Sequence, residues 1–360
     1  MRRRYASANV MATQERIPAG AGLPPVAEIA AVAEDATEQI RARGYWELAW
    51  LRFKRDKVAI AGGFTIVFLF LLSFVGAPIA RLLLGHGPDI PFINGLDSKT
   101  FNPVGPWTHF TNVNAFTHKT EHVFFLLGAS DGLGRDEFLR LLYGGQASLE
   151  VAIGATLVTM LIGVVMGSIA GYYGGWIDMI VSRMTELVMA FPILLFVIAL
   201  AAVAGQSLNN ITLGFLGKGV FTLVVVFGVF GWYYPARIVR AQVLSLREKE
   251  FVEAARMIGS SDARIIRSHL LPHLVPPIIV LATITVAQYI LAEAGLSFLG
   301  IGIQEPTPSW GNMLSYAPQY YTQQPWLMLW PGLLVLLTTL AFNLLGDGLR
   351  DALDPRGAAH

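Results

Sequence analysis

The 360-residue chain is 54% hydrophobic and only 14% charged, has a formal net charge of +1, and contains no cysteine. A soluble enzyme carries about a quarter of its residues charged, so this composition excludes one. The missing cysteines exclude disulfides, thiolate catalysis and cysteine metal clusters, and 36 glycines with 8 tryptophans suit membrane helices.

Residues 1–57 read as a polar extension of mixed charge. Within it, 1–40 is either a flexible segment or, from Val26 to Ile40, an amphipathic surface helix. Residues 41–57 hold six basic side chains against Glu47 and Asp56. No apolar core of a signal peptide falls near residues 10–25, so none is expected. Residues 58–80 carry no ionisable group and are long enough to cross a hydrocarbon core of about 30 Å. After a polar segment, 81–148, five more apolar stretches follow at 149–172, 184–205, 219–238, 274–296 and 325–346. The composition therefore predicts an all-α polytopic protein with six transmembrane helices, five of them forming a core over 149–346.

Six spans put both termini on one side. Seven basic residues lie between Arg237 and His269, while 81–148 has five over a longer stretch and 297–324 has none. The positive-inside rule places both termini, the loop 239–272 and the tail 347–360 in the cytoplasm, and 81–148 outside. Gly163-x-x-x-Gly167 predicts a close helix approach. No inverted repeat stands out, and the spans are nearly bare of ionisable groups, which disfavours a secondary transporter working alone.

In the basic loop, Ala254, Ala255, Met257 and Ile258 sit among Glu250, Glu253 and Arg256, the pattern of a short amphipathic helix. Gly259 can end it, and Ala263 to Leu271 supplies a second short helix before Pro272. Two readings stand side by side: a folded face for a soluble partner, or an interfacial helix lying on lipid headgroups.

The stretch "EAARMIG" followed by "HLLP" resembles the cytoplasmic signature of permease subunits of binding-protein-dependent ABC importers. The matching positions are Glu253, Ala254, Ala255, Gly259, Leu271 and Pro272. His269 to Pro272 is similar to the dipeptide and oligopeptide branch. Four further stretches, Gly134 to Val151, Gly171 to Pro192, Ile290 to Leu314 and Pro331 to Arg356, resemble its second, or C-type, subunit. The resemblance implies an ABC importer type I permease fold in a bacterial or archaeal cytoplasmic (inner) membrane. It also implies a homologous permease as heterodimer partner, two cytoplasmic ATPase subunits carrying the ATP and Mg, an extracytoplasmic solute-binding protein, and a peptide or small solute as cargo. The ATPase-docking residues would be Glu253, Ala254, Ala255, Arg256, Gly259, Leu271 and Pro272. Asp131, Gly134, Arg135, Asp136, Trp310 and Asn312 become candidate contacts for the binding protein. The family pattern departs at Ala129-Ser130 and in the connection Gly205 to Gly219, both on the outer side.

No nucleotide-hydrolysing motif is present, since Lys218 lacks a following Ser or Thr; a permease that is not itself an enzyme is expected. His118 with His122, and His269 with His273, lack the Glu of a zinc hydrolase, so no metal site is expected. The loop mixes acids with its bases and offers no aromatic platform, so nucleic acid is not a partner, whereas membrane lipid is. Glu293, with Ser297 and Phe298 beside it, is a candidate for the translocation path or gate, or else a capping or packing element. Trp310, Asn312, Tyr316, Tyr320 and Tyr321 form a candidate outer belt or lid. Dipeptides or oligopeptides are the expected cargo, with nickel, glutathione or another small solute as alternatives.

Overall fold

The computed structural model describes residues 44–113, 120–192, 195–200 and 219–354. Its contacts divide the chain into two units, Met1–Leu48 and Ala49–His360; of the first, only residues 44–48 are described. The helices are α1 (Tyr45–Phe53), α2 (Lys57–Leu84), α3 (Glu137–Tyr173), α4 (Gly175–Ala190), α5 (Val220–Leu246), α6 (Glu250–Met257), α7 (Asp262–Phe298), α8 (Trp310–Tyr316) and α9 (Trp326–Leu353).

Among the described residues five helices, α2, α3, α5, α7 and α9, are long and apolar enough to cross a membrane. The expected count was six. The remaining stretch, 184–205, lies in part outside the described residues, with only the end of α4 and a helical segment at 195–200 in view. The expectations for residues 1–40, for the connection after Gly205 and for His118 likewise lie outside the described residues.

The membrane bundle is all-α as expected, and the segment 81–148 adds one β-hairpin. Strands β1 (Thr108–Val113) and β2 (Thr120–Phe125) pair antiparallel, with Phe110 opposite Val123 and Thr108 opposite Phe125. Residues of one face, Val123 and Phe125 among them, cluster with Phe92 and Phe110, while His109, Thr111 and His122 stay exposed. This alternation is what a half-buried pleat requires.

Helix ends follow from local chemistry. The Asp56 carboxylate accepts from the amides of Val58 and Ala59 and starts α2; Asp136 accepts from Leu139 N and starts α3. Gly85 and Gly174, both at positive φ, end these helices, a conformation glycine adopts without Cβ strain. Three boundaries differ from the sequence reading. Helix α3 begins at Glu137 rather than 149, because Arg140 is neutralised by protein carboxylates and not by water. Helix α5 continues to Leu246, so the loop 239–272 contracts to the short stretch around α6. Finally, α7 runs unbroken through Pro272, Pro276 and Pro277. A π-helical turn at Ile265–Leu270 widens the coil just before Pro272, where a proline ring would otherwise meet the carbonyl four residues back.

The Gly163/Gly167 expectation is met and extended. A Cβ on Gly163 would stand 2.9 Å from Pro235 Cβ, on Gly167 2.5 Å from Ala236 O, and on Gly171 2.8 Å from Val243 Cβ. Three glycines one turn apart thus set α3 directly on the backbone of α5. Leu141, Leu149, Ile290, Trp310 and Phe342 join α3, α7, α8 and α9 in one core. Val151, Leu223, Phe227 and Leu296 join α3, α5 and α7 in another.

Candidate functional site at the two ends of the bundle

At the C-terminal end of α3, Val252 and Ala255 of α6 are buried with Tyr172, Val243, Ile265 and Leu270. The Arg256 guanidinium lies 5.4 Å from the centre of the Tyr172 ring, and the Tyr172 hydroxyl donates to Asp262 Oδ1 at 2.7 Å. Gly259, at φ 78°, turns the chain so that its amide reaches Arg256 O and that of Ser260 reaches Ala255 O. Arg247 Nη1 donates to the carbonyls of Gly171 and Tyr172, at 3.1 and 3.4 Å, and so satisfies the end of α3. The helix is therefore fixed to three neighbours. Its opposite face is open: Phe251, Ala254 and Ile258 recur at helical spacing and are exposed, and Met257 and Ile258 are 83% and 81% accessible.

Of the residues expected to dock, Glu253 and Ala254 are exposed, Ala255 is buried, Arg256 faces Tyr172, Leu271 is half-buried, and Pro272 lies on α7. Sequence reasoning grouped Met257 and Ile258 with the amphipathic helix without assigning them to the open side. The signal was available, since Val252 and Ala255 define the other face.

On α5, Arg240 holds Asp178 at the start of α4 through two hydrogen bonds, Nη2 to Oδ2 at 2.6 Å and Nε to Oδ1. The bond to Arg240 holds the Asp178 carboxyl below its ordinary value of 3.8. A depressed carboxyl stabilises the folded state above its unfolded value, and that contribution is lost as pH falls through the lower folded value. Asp178→Asn is thus expected to lower the melting temperature at neutral pH, and the gap from wild type should close only in acid below about 3.8. Melting curves of both proteins in detergent between neutral pH and that acid limit test this; a gap that does not change with pH refutes it.

At the other end of α3 the charges form one network. Arg135 Nε donates to Asp131 Oδ2 at 2.6 Å and Nη1 to Glu305 Oε2 at 2.5 Å. Arg140 donates to Glu305 Oε1 at 3.0 Å and to Asp89 Oδ1 at 3.1 Å. His86 Nε2 meets Asp136 Oδ2 at 3.0 Å. Burial pushes the Asp89 carboxyl up despite the opposing pull of Arg140 and Arg135. Glu305 thereby ties the loop after α7 to the start of α3.

Of the residues expected to contact the binding protein, Asp131, Gly134, Arg135, Asp136, Trp310 and Asn312 are all buried in this chain. Each polar group is already bonded: Trp310 Nε1 donates to Leu141 O at 3.0 Å, and Asn312 completes a capping box with Ser309. Apolar residues exposed at this end among the described residues include Ile93, Phe101, Trp107, Leu133 and Tyr321. Of the suggested belt, Trp310 and Asn312 are internal, Tyr316 and Tyr320 half-buried and Tyr321 exposed.

Arg140 is 1% exposed, so Arg140→Ala leaves Asp89 without its cation and Glu305 with Arg135 alone. Removing one partner of a fully buried pair costs about 3–5 kcal/mol; with Asp89 and Glu305 partly exposed to water the cost falls below that range. The variant is expected to melt well below wild type and to gain protease-sensitive sites near residues 299–309. An unchanged melt would show that the network is idle.

Glu293 is fully buried. Its Oε1 accepts from Ser297 Oγ at 2.7 Å, and that oxygen accepts from Ile303 N at 3.0 Å. These bonds close the turn after α7, while Glu293 Oε2 has no hydrogen-bond partner among the described residues. Neither Glu293 nor Ser297 reaches a surface a solute could touch in this conformation, whereas Phe298 is exposed. Among the described residues no three His, Cys, Asp or Glu side chains gather as metal ligands.

A bundle of long apolar helices, with a rigid charged and apolar loop at one end and a folded polar cap at the other, defines a multi-pass membrane subunit. The model of the family described as "Binding-protein-dependent transport system inner membrane component" matches residues 163–358. A second, "N-terminal TM domain of oligopeptide transport permease C", matches residues 44–94. The dipeptide transport system permease protein DppC of Alkalihalophilus pseudofirmus is 38% identical over 89% of this chain and 92% of its own. The glutathione transport system permease protein GsiD of Pectobacterium atrosepticum is 36% identical over 86% and 91%. The oligopeptide transport system permease protein OppC of Haemophilus influenzae is 36% identical over 88% and 91%. A chain of the MetNI methionine ABC transporter in an inward-facing conformation overlaps 60% of this chain and 96% of its own, with a TM-score of 0.48 and 20% identity. The chain belongs to the family of binding-protein-dependent transport system inner membrane components. It is a multi-pass inner-membrane permease subunit, and nucleotide hydrolysis is not its own activity.

Proposed function

We propose that the chain is one of two homologous permeases forming the pathway of an ATP-driven importer of dipeptides or oligopeptides. Two ATPase subunits, carrying ATP and Mg, dock on α6 from the cytoplasm, and a solute-binding protein delivers cargo to the end that carries the hairpin. Both termini, with residues 1–57 and 347–360, lie in the cytoplasm, and 81–148 lies outside. One observation carries this reading: the open face of Phe251, Glu253, Ala254, Met257 and Ile258 on a helix whose other face is locked to α3, α5 and α7. The cargo class rests on relatives named for dipeptide and oligopeptide transport. A relative named for glutathione transport supports that tripeptide as the second reading.

The coupling follows from the same contacts. A push on α6 reaches the end of α3 through Arg256 on Tyr172, and reaches α7 through Tyr172 on Asp262. Arg247 links the end of α5 to the carbonyls of α3. Nucleotide-driven motion of the ATPases would therefore move packed helices as rigid bodies and change the side to which the pathway opens.

The test is copurification from membranes expressing the chain with its neighbouring subunits, followed by uptake of labelled dialanine, glutathione and nickel. Recovery of a second permease and ATPases, loss of the ATPases in Glu253→Arg, and dialanine uptake are expected. A chain recovered alone overturns the docking assignment. Uptake of glutathione or nickel without dialanine overturns the cargo.

A further inference from the structure

A cleft of about 440 Å³ opens between the end of α2, the first turns of α3 and the start of α5, lined among others by Arg81, Asp89, Tyr143, Gln146 and Glu150. Tyr143, Gln146 and Glu150 recur at helical spacing, so one face of α3 forms a wall of it. Gln146 is anchored, its Nε2 donating to Ser73 O at 2.7 Å. Four neighbouring acids meet a cation: Asp89 on Arg140, Asp131 on Arg135, Asp136 on His86, and Glu305 on both arginines; Glu137, enclosed in the protein and away from the cleft, has no ion pair among the described residues. Glu150 has none either. Half-buried inside the apolar run of α3, its carboxylate has no hydrogen bond or ion pair among the described residues, and the Arg81 guanidinium likewise has no carboxylate at salt-bridge distance. The Oδ1 of Asp89 is taken by Arg140, and its second oxygen makes no further bond among the described residues.

An unpaired carboxylate in a spanning helix is costly unless a ligand compensates it. Glu150, the Tyr143 phenol and the Gln146 amide offer acceptors on the α3 wall, and Arg81 with Asp89 comes from the end of α2 and the segment after it. A group of three metal-ligating side chains is absent among the described residues, so the lining does not suit a bare metal ion. It suits a group with several N–H donors, and the cleft has the volume of a small-molecule site.

We infer that this cleft binds a primary ammonium group at Glu150 with the anionic part of the same ligand at Arg81. Two sources present that chemistry: the headgroup of an aminophospholipid, and a free zwitterion such as a short peptide. The second source rests on the importer reading above; the first does not.

The experiment uses the assembled complex in nanodiscs. One arm compares retention of phosphatidylethanolamine and phosphatidylcholine by native mass spectrometry. The other, in phosphatidylcholine discs, titrates dialanine and N-acetyl-dialanine. Glu150→Gln, which keeps shape and removes charge, is expected to lower phosphatidylethanolamine retention or dialanine affinity about tenfold, and N-acetylation should abolish a dialanine signal. Arg81→Gln should weaken the same ligand. The first result identifies a lipid site and the second a solute site. If neither ligand distinguishes wild type from Glu150→Gln, the inference fails, and copurifying ATPases with intact dialanine uptake would show that the importer reading stands without it.

Discussion

Gly167→Leu is expected to break the joint between α3 and α5. The Cβ alone would lie 2.5 Å from Ala236 O and 2.9 Å from Val239 Cβ. The first of these is backbone, so relief requires α5 to move away. Gly163 and Gly171, one turn to either side, then lose their contacts with Pro235 and Val243, and the Arg247 bonds to the end of α3 are pulled with them. Overpacking of a tight core costs about 1–3 kcal/mol; displacement of a whole helix contact places this variant at the upper end, near 3 kcal/mol. Gly295→Ala is the matched control, because nothing lies within 4 Å of its Cβ, and helix interiors favour alanine over glycine by about 0.5–1 kcal/mol. Thermal melts in detergent should rank Gly295→Ala at or above wild type and Gly167→Leu far below. Equal melting of the two would mean that the glycine stripe has no packing role.

The Gly163-x-x-x-Gly167 spacing was legible because close approach depends on residue size alone. What it did not reveal was Gly171, which completes the stripe where the apolar run was expected to end. Helix limits failed wherever a charge is neutralised inside the protein. Arg140 reads as solvent-facing until Glu305, far away in sequence, is brought beside it. The prolines misled in the same way: Pro272 reads as a stop, and only the π-helical turn at Ile265–Leu270 shows how the helix passes it. Hydropathy reports side chains one at a time, whereas these outcomes depend on partners.

The site residues divided along the same line. Glu253 and Ala254, in a short amphipathic helix, stand on the surface as their spacing implies. Asp131, Arg135, Asp136 and Asn312 did not, because a run of polar residues next to a span is equally a partner face and an internal hydrogen-bond network. Asp131 and Asp136 each find a cation or an amide of their own chain. Phe101 and Trp107 behave in the opposite way: both are aromatic, at positive φ, and exposed. No sequence rule places them there.

Ile258→Asp and Met257→Asp should uncouple the subunit from its ATPases while leaving its fold intact. Both side chains are more than four-fifths accessible, so the isolated subunit has no contact to lose. If α6 enters a groove on a partner, each becomes a buried apolar anchor, and an aspartate there brings an unpaired charge into that groove. Anchors of this kind cost about 3 kcal/mol when lost, roughly a hundredfold in affinity, so ATPase recovery on purification and ATP-dependent uptake should fall together. Val252→Asp separates the mechanism from general damage. Its side chain is buried with Tyr172 and Leu270, so this change should lower the melting temperature of the subunit itself, which the two surface variants should not do. If Ile258→Asp keeps its ATPases and its uptake, the open face of α6 is not the docking surface; it would then rest on lipid headgroups, and retention of anionic lipid by α6 would be what the aspartate lowers.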